Sequence, residues 1–505
     1  MRRSSVIVSL VVALLAAACG SQLDRSVFEQ DAAGTSGGVR AGAVDDDGST
    51  TDLAGPGDAG TDDDTAVEAG DPSAPTGEGP TAAAGGGTST GGAAAAGGGG
   101  KAPYASDVGV TESSIKVGNI TTIGGPMPGQ FEPYLLGVRT WVNEINEKGG
   151  INGRKIQFSP CDDGMDAERN RSCARDLIEN QKVFALVGTN GPAMPSARYV
   201  NDKKVPAVGV AGIGDYVGQL PYWFVTTGMR TCPRDGNDGP GGCRFTNVKQ
   251  SNSAYKWFKD SLGVKKAAVF WHNIDISKQA GQAFANVLRQ TGIDVVYTAE
   301  TQVAEPDYTG HVLQMRDRGI EAIWDSMEVN NNIRLMQAMD RQGFLPKAKV
   351  TTAAAYGQEI GKQVTGPSRN ILFALSPFRS YTATNNPAVA NFRKLFDRYF
   401  KGKSKHIWNV EGYVGANLFG DAAAALGADL TREGLVKWLN ELKDWDAKGL
   451  APPLDFRYDP SVFNAPSPPK VSPYCWYISQ FKDTDFAPTP GPDYKCDGDW
   501  VNPSG

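Results

Sequence analysis

The sequence predicts an α/β protein of two lobes, each built on a parallel sheet, and three observations carry that prediction. Behind a long low-complexity segment about 400 residues remain, more than one hydrophobic core usually supports. Strand-length apolar runs alternate with helical apolar stripes in units about 25 residues apart, the spacing of β-α-β winding. A second such series starts at Lys265.

The chain begins with Arg2 and Arg3, runs through thirteen mostly apolar residues from Val6 to Ala18, and reaches Cys19 after three alanines. That pattern is a signal peptide, too short for a permanent membrane span. Its ending, LLAAAC, resembles the bacterial lipobox, although Ala16 stands where a larger aliphatic residue is preferred. Lipidation of Cys19 is expected, with an ordinary secretory cleavage near Ala18 as the alternative. Residues 20–103 are Gly, Ala, Thr, Ser and Asp with hardly an aromatic, so they form a disordered tether that cannot bury enough apolar surface to order itself. Eleven Asp and three Glu face Arg25, Arg40 and Lys101, so the tether carries −11, while residues 104–505 carry +3 of the chain's total of −6. A nearly neutral body excludes nucleic acid, which selects a strongly basic face. As a flexible coil the tether spans roughly 50 Å and lifts that body off a membrane.

With Cys19 assigned to lipid, six cysteines remain, in three close pairs: Cys161 with Cys173, Cys232 with Cys243, and Cys475 with Cys496. Export to an oxidising compartment and an even count predict disulfides, and proximity selects these pairs among the fifteen pairings possible. Each short loop so closed is worth roughly 3 kcal/mol on a chain-entropy basis. No C-x-x-C or Cys/His spacing indicates a metal, and none is expected.

The folded part opens with the strand SIKVGNI from Ser114, which runs into the Gly/Pro-rich loop TIGGPMPGQ. Leu135, Val138, Val142 and Ile145 then form one apolar helical stripe. Gly149 supplies a left-handed stop, and Asn152-Gly153 makes a two-residue reversal into the strand KIQFS. A helix from about Asp166 to Asn180, the strand FALVG, a helix near Met194 to Lys203 and the strand AVGVAG continue the series. The second series is KKAAVFW, a helix carrying Ala280, Phe284, Val287 and Leu288, DVVYTAE, a helix from Tyr308, and EAIWDS. The Cys232–Cys243 loop and the stretch ILFALSPFRS from Ile371 read as crossings between lobes.

The run IKVGNITTIGGP, then VNEINEKGGINGRKIQF, DDGMD, LIENQKVFALVGTNGP and VPAVGVAG resembles the type I periplasmic-binding-protein family, in its branched-chain amino-acid-binding branch that serves ABC importers. PDYTGHVLQMRDRGIEAI and VEGYVGANLFGDAAAALG are similar to pieces of the second lobe and of the return to the first. The resemblance covers roughly residues 112–485. It implies two Rossmann-like lobes with parallel sheets, a three-crossing hinge and a ligand cleft between them. Residues 104–230 and 376–453 would form the first lobe, and 245–375 with 454–505 the second.

Ligands of open parallel sheets sit beyond the carboxyl ends of the strands, where helix N-termini also point. Carried over by position, the resemblance places ligand contacts at Thr189 and Asn190, and at Ala211, Gly212 and Ile213. In the second lobe it places them at Ser277 within the loop after AVFWH, at Glu328 and Asn331, and at Ala355 with Tyr356; His272, which ends AVFWH, is a further candidate because its strand end should face the cleft. For each residue an ordinary solvated or packed loop role is the alternative. Two departures bear on the ligand: Ile276 stands where family members commonly place a tyrosine, and Asn331 stands where amino-acid binders place the acid that meets the ligand ammonium. An ordinary α-amino acid is therefore not expected, because a desolvated ammonium without its carboxylate is costly. Asp162 and Asp163 are expected to accept from the following helix and to position a loop at the cleft rim.

Nothing predicts an enzyme or a cofactor. His272, His311 and His406 are scattered, GIGDYVG lacks dinucleotide spacing, and SAYK from Ser253 lacks companion motifs. The sequence thus predicts a monomeric, extracytoplasmic solute-binding lipoprotein, anchored through Cys19 to the outer face of the cell membrane, with a small-molecule ligand and ABC permease subunits as partners. The alternative is a sensor of the same fold without transport.

Overall fold

The computed structural model describes residues 102–191, 194–212, 220–226, 249–456, 465–467 and 474–503. The signal peptide, Cys19, almost all of the tether, Ile213 and the Cys232–Cys243 pair lie outside them.

The first sheet collects β1 (Ser114–Thr121), β2 (Lys155–Asp162), β3 (Ala185–Val187), β4 (Asn190–Gly191), β5 (Ala207–Gly212) and β6 (Trp223–Val225). Its order is β2-β1-β3-β5-β4, with β6 on β5 and β1 also touching β4, and each of these pairings is parallel. Helices α1 (Glu132–Glu147), α2 (Ala167–Arg175) and α3 (Ala197–Asp202) fill the connections. The α1 to β2 connection closes as its glycines require: Gly149 and Gly150 have φ of 103° and 87°, and Asn152 and Gly153 have 49° and 81°. The two backbone bonds between Ile151 and Arg154 close a turn of the type that needs both central residues left-handed.

Asp166, rather than Asp162 or Asp163, caps α2, accepting from Arg169 N at 2.8 Å. Asp162 instead accepts from Ile123 N and Gly124 N at 2.8 and 3.2 Å, and Asp163 from the Thr122 hydroxyl at 2.6 Å. The acid pair therefore anchors the loop after β1, as a strand end with unsatisfied donors nearby demands.

The second sheet contains β8 (Lys266–His272), β9 (Asp294–Thr301), β10 (Ala322–Asp325), β11 (Ala348–Thr351) and β12 (Leu372–Ser376), all parallel in the order β9-β8-β10-β11-β12. Before it come β7 (Gln250–Ser251) and α4 (Ser253–Leu262), and between its strands α5 (Asp275–Gln290), α6 (Thr309–Asp317), α7 (Val329–Arg341) and α8 (Gln358–Gln363). The stretch read as a crossing from Ile371 is thus first a buried strand of this sheet, and the chain leaves it only after Ser376. It then forms α9 (Pro387–Tyr399), α10 (Ile407–Leu426) and α11 (Arg432–Glu441). The C-terminal part returns to the second sheet as β13 (Trp476–Lys482), β14 (Asp485–Pro488) and β15 (Tyr494–Lys495), all antiparallel, while β16 (Trp500–Val501) pairs with β7. Disulfides join Cys161 to Cys173 and Cys475 to Cys496.

Helix α10 is the axis of the first lobe. It is apolar on nearly every side, as a helix buried between layers must be. It lies so close to its neighbours that a Cβ on Gly412 would stand 2.1 Å from Tyr134 O, and one on Gly415 2.6 Å from Gly209 O. Both obstacles are backbone, which cannot rotate aside. Gly412→Ala should therefore lower stability by about 1–3 kcal/mol, read as an earlier urea midpoint; an unchanged midpoint contradicts this packing.

Candidate functional site

A cavity of about 340 Å³ lies at the carboxyl ends of strands from both sheets, within the range of small-molecule sites. From the first-sheet side come Met127, Gln130 and Phe131 of the loop before α1, Asn190, Ala211, and Trp408 with Glu411 of α10. From the second come His272, Ile274, Ile276, Ser277, Ser326, Met327, Glu328, the turn at Thr352 to Ala354, and Leu375 with Trp476. The walls are mostly apolar and aromatic. Gln130 crosses between the sides, donating to Ala354 O at 2.9 Å and accepting from Val329 N at 3.3 Å.

The second-lobe wall is a polar network already satisfied within the protein. Glu328 caps α7, its two oxygens accepting from Asn330 N and Asn331 N at 2.7 Å each. Burial raises its carboxyl above the usual range. Glu328 N in turn donates to His272 Nε2 at 3.1 Å. That bond makes Nε2 an acceptor and leaves the proton on Nδ1, 3.3 Å from the Thr301 hydroxyl. Burial holds the His272 imidazole below its ordinary value, which keeps it neutral. Ser277 donates to Ser326 O at 2.7 Å and accepts from His272 N at 2.8 Å. Beneath these, the fully buried Lys349 pairs with Asp325 and donates to Asn332 Oδ1 at 2.6 Å, and Asp325 accepts from Met327 N at 2.9 Å. This ion pair fixes the β10 to α7 turn that delivers Met327 and Glu328.

The first-lobe wall is different. Asn190 is 1% exposed, and neither its Nδ2 nor its Oδ1 has a partner among the described residues. Its backbone is held by Thr122 N, which donates to Asn190 O at 3.1 Å, so the amide is displayed by a fixed strand end. Glu411 is 2% exposed, and its one hydrogen bond among the described residues is with the Ser376 hydroxyl, at 3.4 Å. Burial pushes its carboxyl up to about 8, with the serine bond opposing. Its position is set by the start of α10, where His406 Nδ1 accepts from Trp408 N at 3.1 Å and Asn409 Oδ1 accepts from His406 N at 2.7 Å.

Of the residues expected to touch a ligand, Asn190, Ala211, His272, Ser277 and Glu328 line the cavity. Gly212 ends β5 beside them. Thr189 lies between strands, its hydroxyl taking Ile120 N at 3.4 Å. Asn331 is buried behind the wall, donating to Val303 O at 2.6 Å and lying 3.3 Å from His272 Nε2. Ala355 is fully buried one residue beyond the lining turn. Tyr356 packs on Tyr381 and Phe486, with its hydroxyl on Ser479, in the core behind that turn. Glu411, Trp408, Trp476, Phe131 and Gln130 were not expected. For Glu411 the signal was present in IWNVEGYVGA, a lone acid inside an apolar helical run.

A family profile described as periplasmic binding protein matches residues 114–467. The Leu/Ile/Val-binding protein homolog 7 of Brucella suis is 21% identical over 317 residues, 61% of this chain and 77% of that protein. Among solved structures, the fatty acid ABC transporter substrate-binding protein from Thermomonospora curvata superposes with a TM-score of 0.59 at 18% identity, covering 80% of this chain and 95% of that one. A solute-binding protein of an ABC transporter from Rhodopseudomonas palustris, in complex with 3,4-dihydroxybenzoic acid, gives 0.57 at 16% identity, covering 77% and 96%.

The environment of Glu411 predicts a pH signature. The folded protein holds its proton more tightly than the unfolded chain, so its contribution to stability is full below the ordinary carboxyl value of 4.5 and is lost as pH rises to about 8. The stability difference between wild type and Glu411→Gln should therefore change across that window, with a slope of at most about 1.4 kcal/mol per pH unit. Urea unfolding at a series of pH values measures it; a difference independent of pH contradicts the assignment.

Proposed function

The chain belongs to the periplasmic binding protein family, and from that premise we propose that it is an extracytoplasmic solute-binding lipoprotein that captures a small molecule between its lobes and delivers it to an ABC import permease. The observation that carries this reading is the cavity itself, walled from both sheets, bridged by Gln130, and holding two buried polar side chains with little or no protein partner. Closure of two lobes around a solute is how such a cleft is read out, since both lobes then present one joint surface. The lipobox-like sequence before Cys19 and the acidic tether support a membrane-anchored position for the body. Among the described residues no helix is long and apolar enough to cross a membrane.

The ligand is not an ordinary branched-chain amino acid. Glu328, the acid nearest the position that pairs with an ammonium in amino-acid binders, has both oxygens on the N-terminus of α7. Ile276 contributes apolar surface where a tyrosine would contribute a hydroxyl. The structural neighbours named for a fatty acid and bound to 3,4-dihydroxybenzoic acid support a fold whose ligands are not confined to amino acids.

Thermal-shift screening of the purified protein against solute panels tests the proposal. A ligand at 100 times its dissociation constant adds about 2.7 kcal/mol of stability, a readable upward shift. Hits outside the branched-chain amino acids are expected; tight binding of leucine or valine contradicts the reading of Ile276 and Glu328.

A further inference from the structure

Resting on the reading of this cavity as the solute site, we propose that its ligand is an organic cation, an amine with an apolar and preferably aromatic body and no carboxylate of its own. Three features of the cavity converge on this class.

The first is charge. Of the two acids in the lining, Glu328 is spent on capping α7, whereas Glu411 is hydrogen-bonded among the described residues to Ser376 alone. No lysine or arginine lines the cavity among the described residues, and the one imidazole, His272, is neutral and accepts with its Nε2. An anionic solute would meet no positive charge there, and a buried unpaired charge is strongly disfavoured. A cation meets a carboxylate ready to ionise against it. The second feature is the aromatic lining. Trp408 lies three residues before Glu411, on the same face of α10, with Phe131 stacked on it at 5.1 Å, and Trp476 lines the cavity from β13. Aromatic rings around a cation add electrostatic attraction in a desolvated site. The third is Asn190, whose carbonyl oxygen has no partner among the described residues and can accept from an ammonium N–H.

The mechanism of recognition follows from linkage. In the empty cavity Glu411 is largely protonated at neutral pH, because burial holds its carboxyl at about 8. The titratable groups facing it are Tyr134 from α1, with Ser376 its hydrogen-bond partner from β12, and His272 and Glu328 across the cavity. None of these is a cation that would already stabilise the carboxylate. Binding an ammonium ionises Glu411, and one proton leaves to solvent for each solute bound. Affinity for the cation therefore rises with pH below about 8, whereas affinity for a neutral solute of the same shape does not.

Calorimetric titration of the full chain tests this with three probes that share an aryl-ethyl body: 2-phenylethylamine, 2-phenylethanol and 3-phenylpropionate. The amine is expected to bind at least tenfold more tightly than either of the others, and about tenfold more tightly at about pH 7.5 than at about pH 6.5. Repeating the titration in buffers of different ionisation enthalpy should show release of close to one proton per amine on the wild-type protein, which needs no variant to fold. Glu411→Gln should weaken the amine at least tenfold and abolish proton release, while changing 2-phenylethanol by less than about threefold. Equal binding of all three probes, preference for 3-phenylpropionate, no binding of the amine, or amine binding without proton release each overturns the cation assignment. In any of these cases a different solute that stabilises the protein leaves the solute-site reading standing; if no solute of any class binds, that reading fails too.

Discussion

The close approach of α10 to α1 and β5 is the constraint on which the rest of the molecule depends. Gly412 and Gly415 bring the helix backbone against the Tyr134 carbonyl and against Gly209, distances that no side chain could share. That contact locks α10 beneath the carboxyl ends of the first sheet. Residues 408 and 411 of one apolar helix thereby reach the cavity, and a glutamate becomes almost wholly buried. A helix held one side chain's width farther out would leave Glu411 in water, where it would be an ordinary surface acid.

The two walls then divide the work. On the second side, the polar groups that shape the β10 to α7 turn have protein partners: Lys349 and Asp325 fix the turn, Glu328 caps the helix, and His272 takes the Glu328 N–H. Such a network is rigid because each member, if released, would be an unsatisfied buried group. On the first side, among the described residues, Asn190 has no partner and Glu411 a single long one. Buried polar groups left in that state are destabilising unless something else supplies the partner. The asymmetry suits a protein that presents a preformed wall and completes its hydrogen bonding with a solute.

Much of the architecture was legible in the sequence because periodicity reports which face of an element is buried. The alternation of SIKVGNI, the stripe from Leu135 to Ile145, and KIQFS resolves directly into β1, α1 and β2, and Asn152-Gly153 into a turn with both residues left-handed. The strand from Leu372 was read as a crossing because periodicity cannot tell a fully buried strand from any other apolar run. The antiparallel β13 to β15 were not anticipated; their register depends on pairing with β12, more than a hundred residues away in the chain. The site was legible where family position stood in for geometry, as at Asn190 and Ala211, and where a strand end had to face the cleft, as at His272. Glu411 and Trp476 escaped because their place in the cavity is set by long-range packing, and Tyr356, though beside the lining turn in sequence, points into the core.

The central proposal is that this cavity is where a solute binds. Ala280 lines it from the half-exposed face of α5, so a larger side chain there fills the space without disturbing either core. The decisive measurement is calorimetric titration of Ala280→Trp with any solute that stabilises the wild-type protein, alongside the variant's own unfolding temperature. The account predicts binding lost or weakened at least tenfold with that temperature little changed; wild-type affinity in a folded Ala280→Trp protein would contradict it.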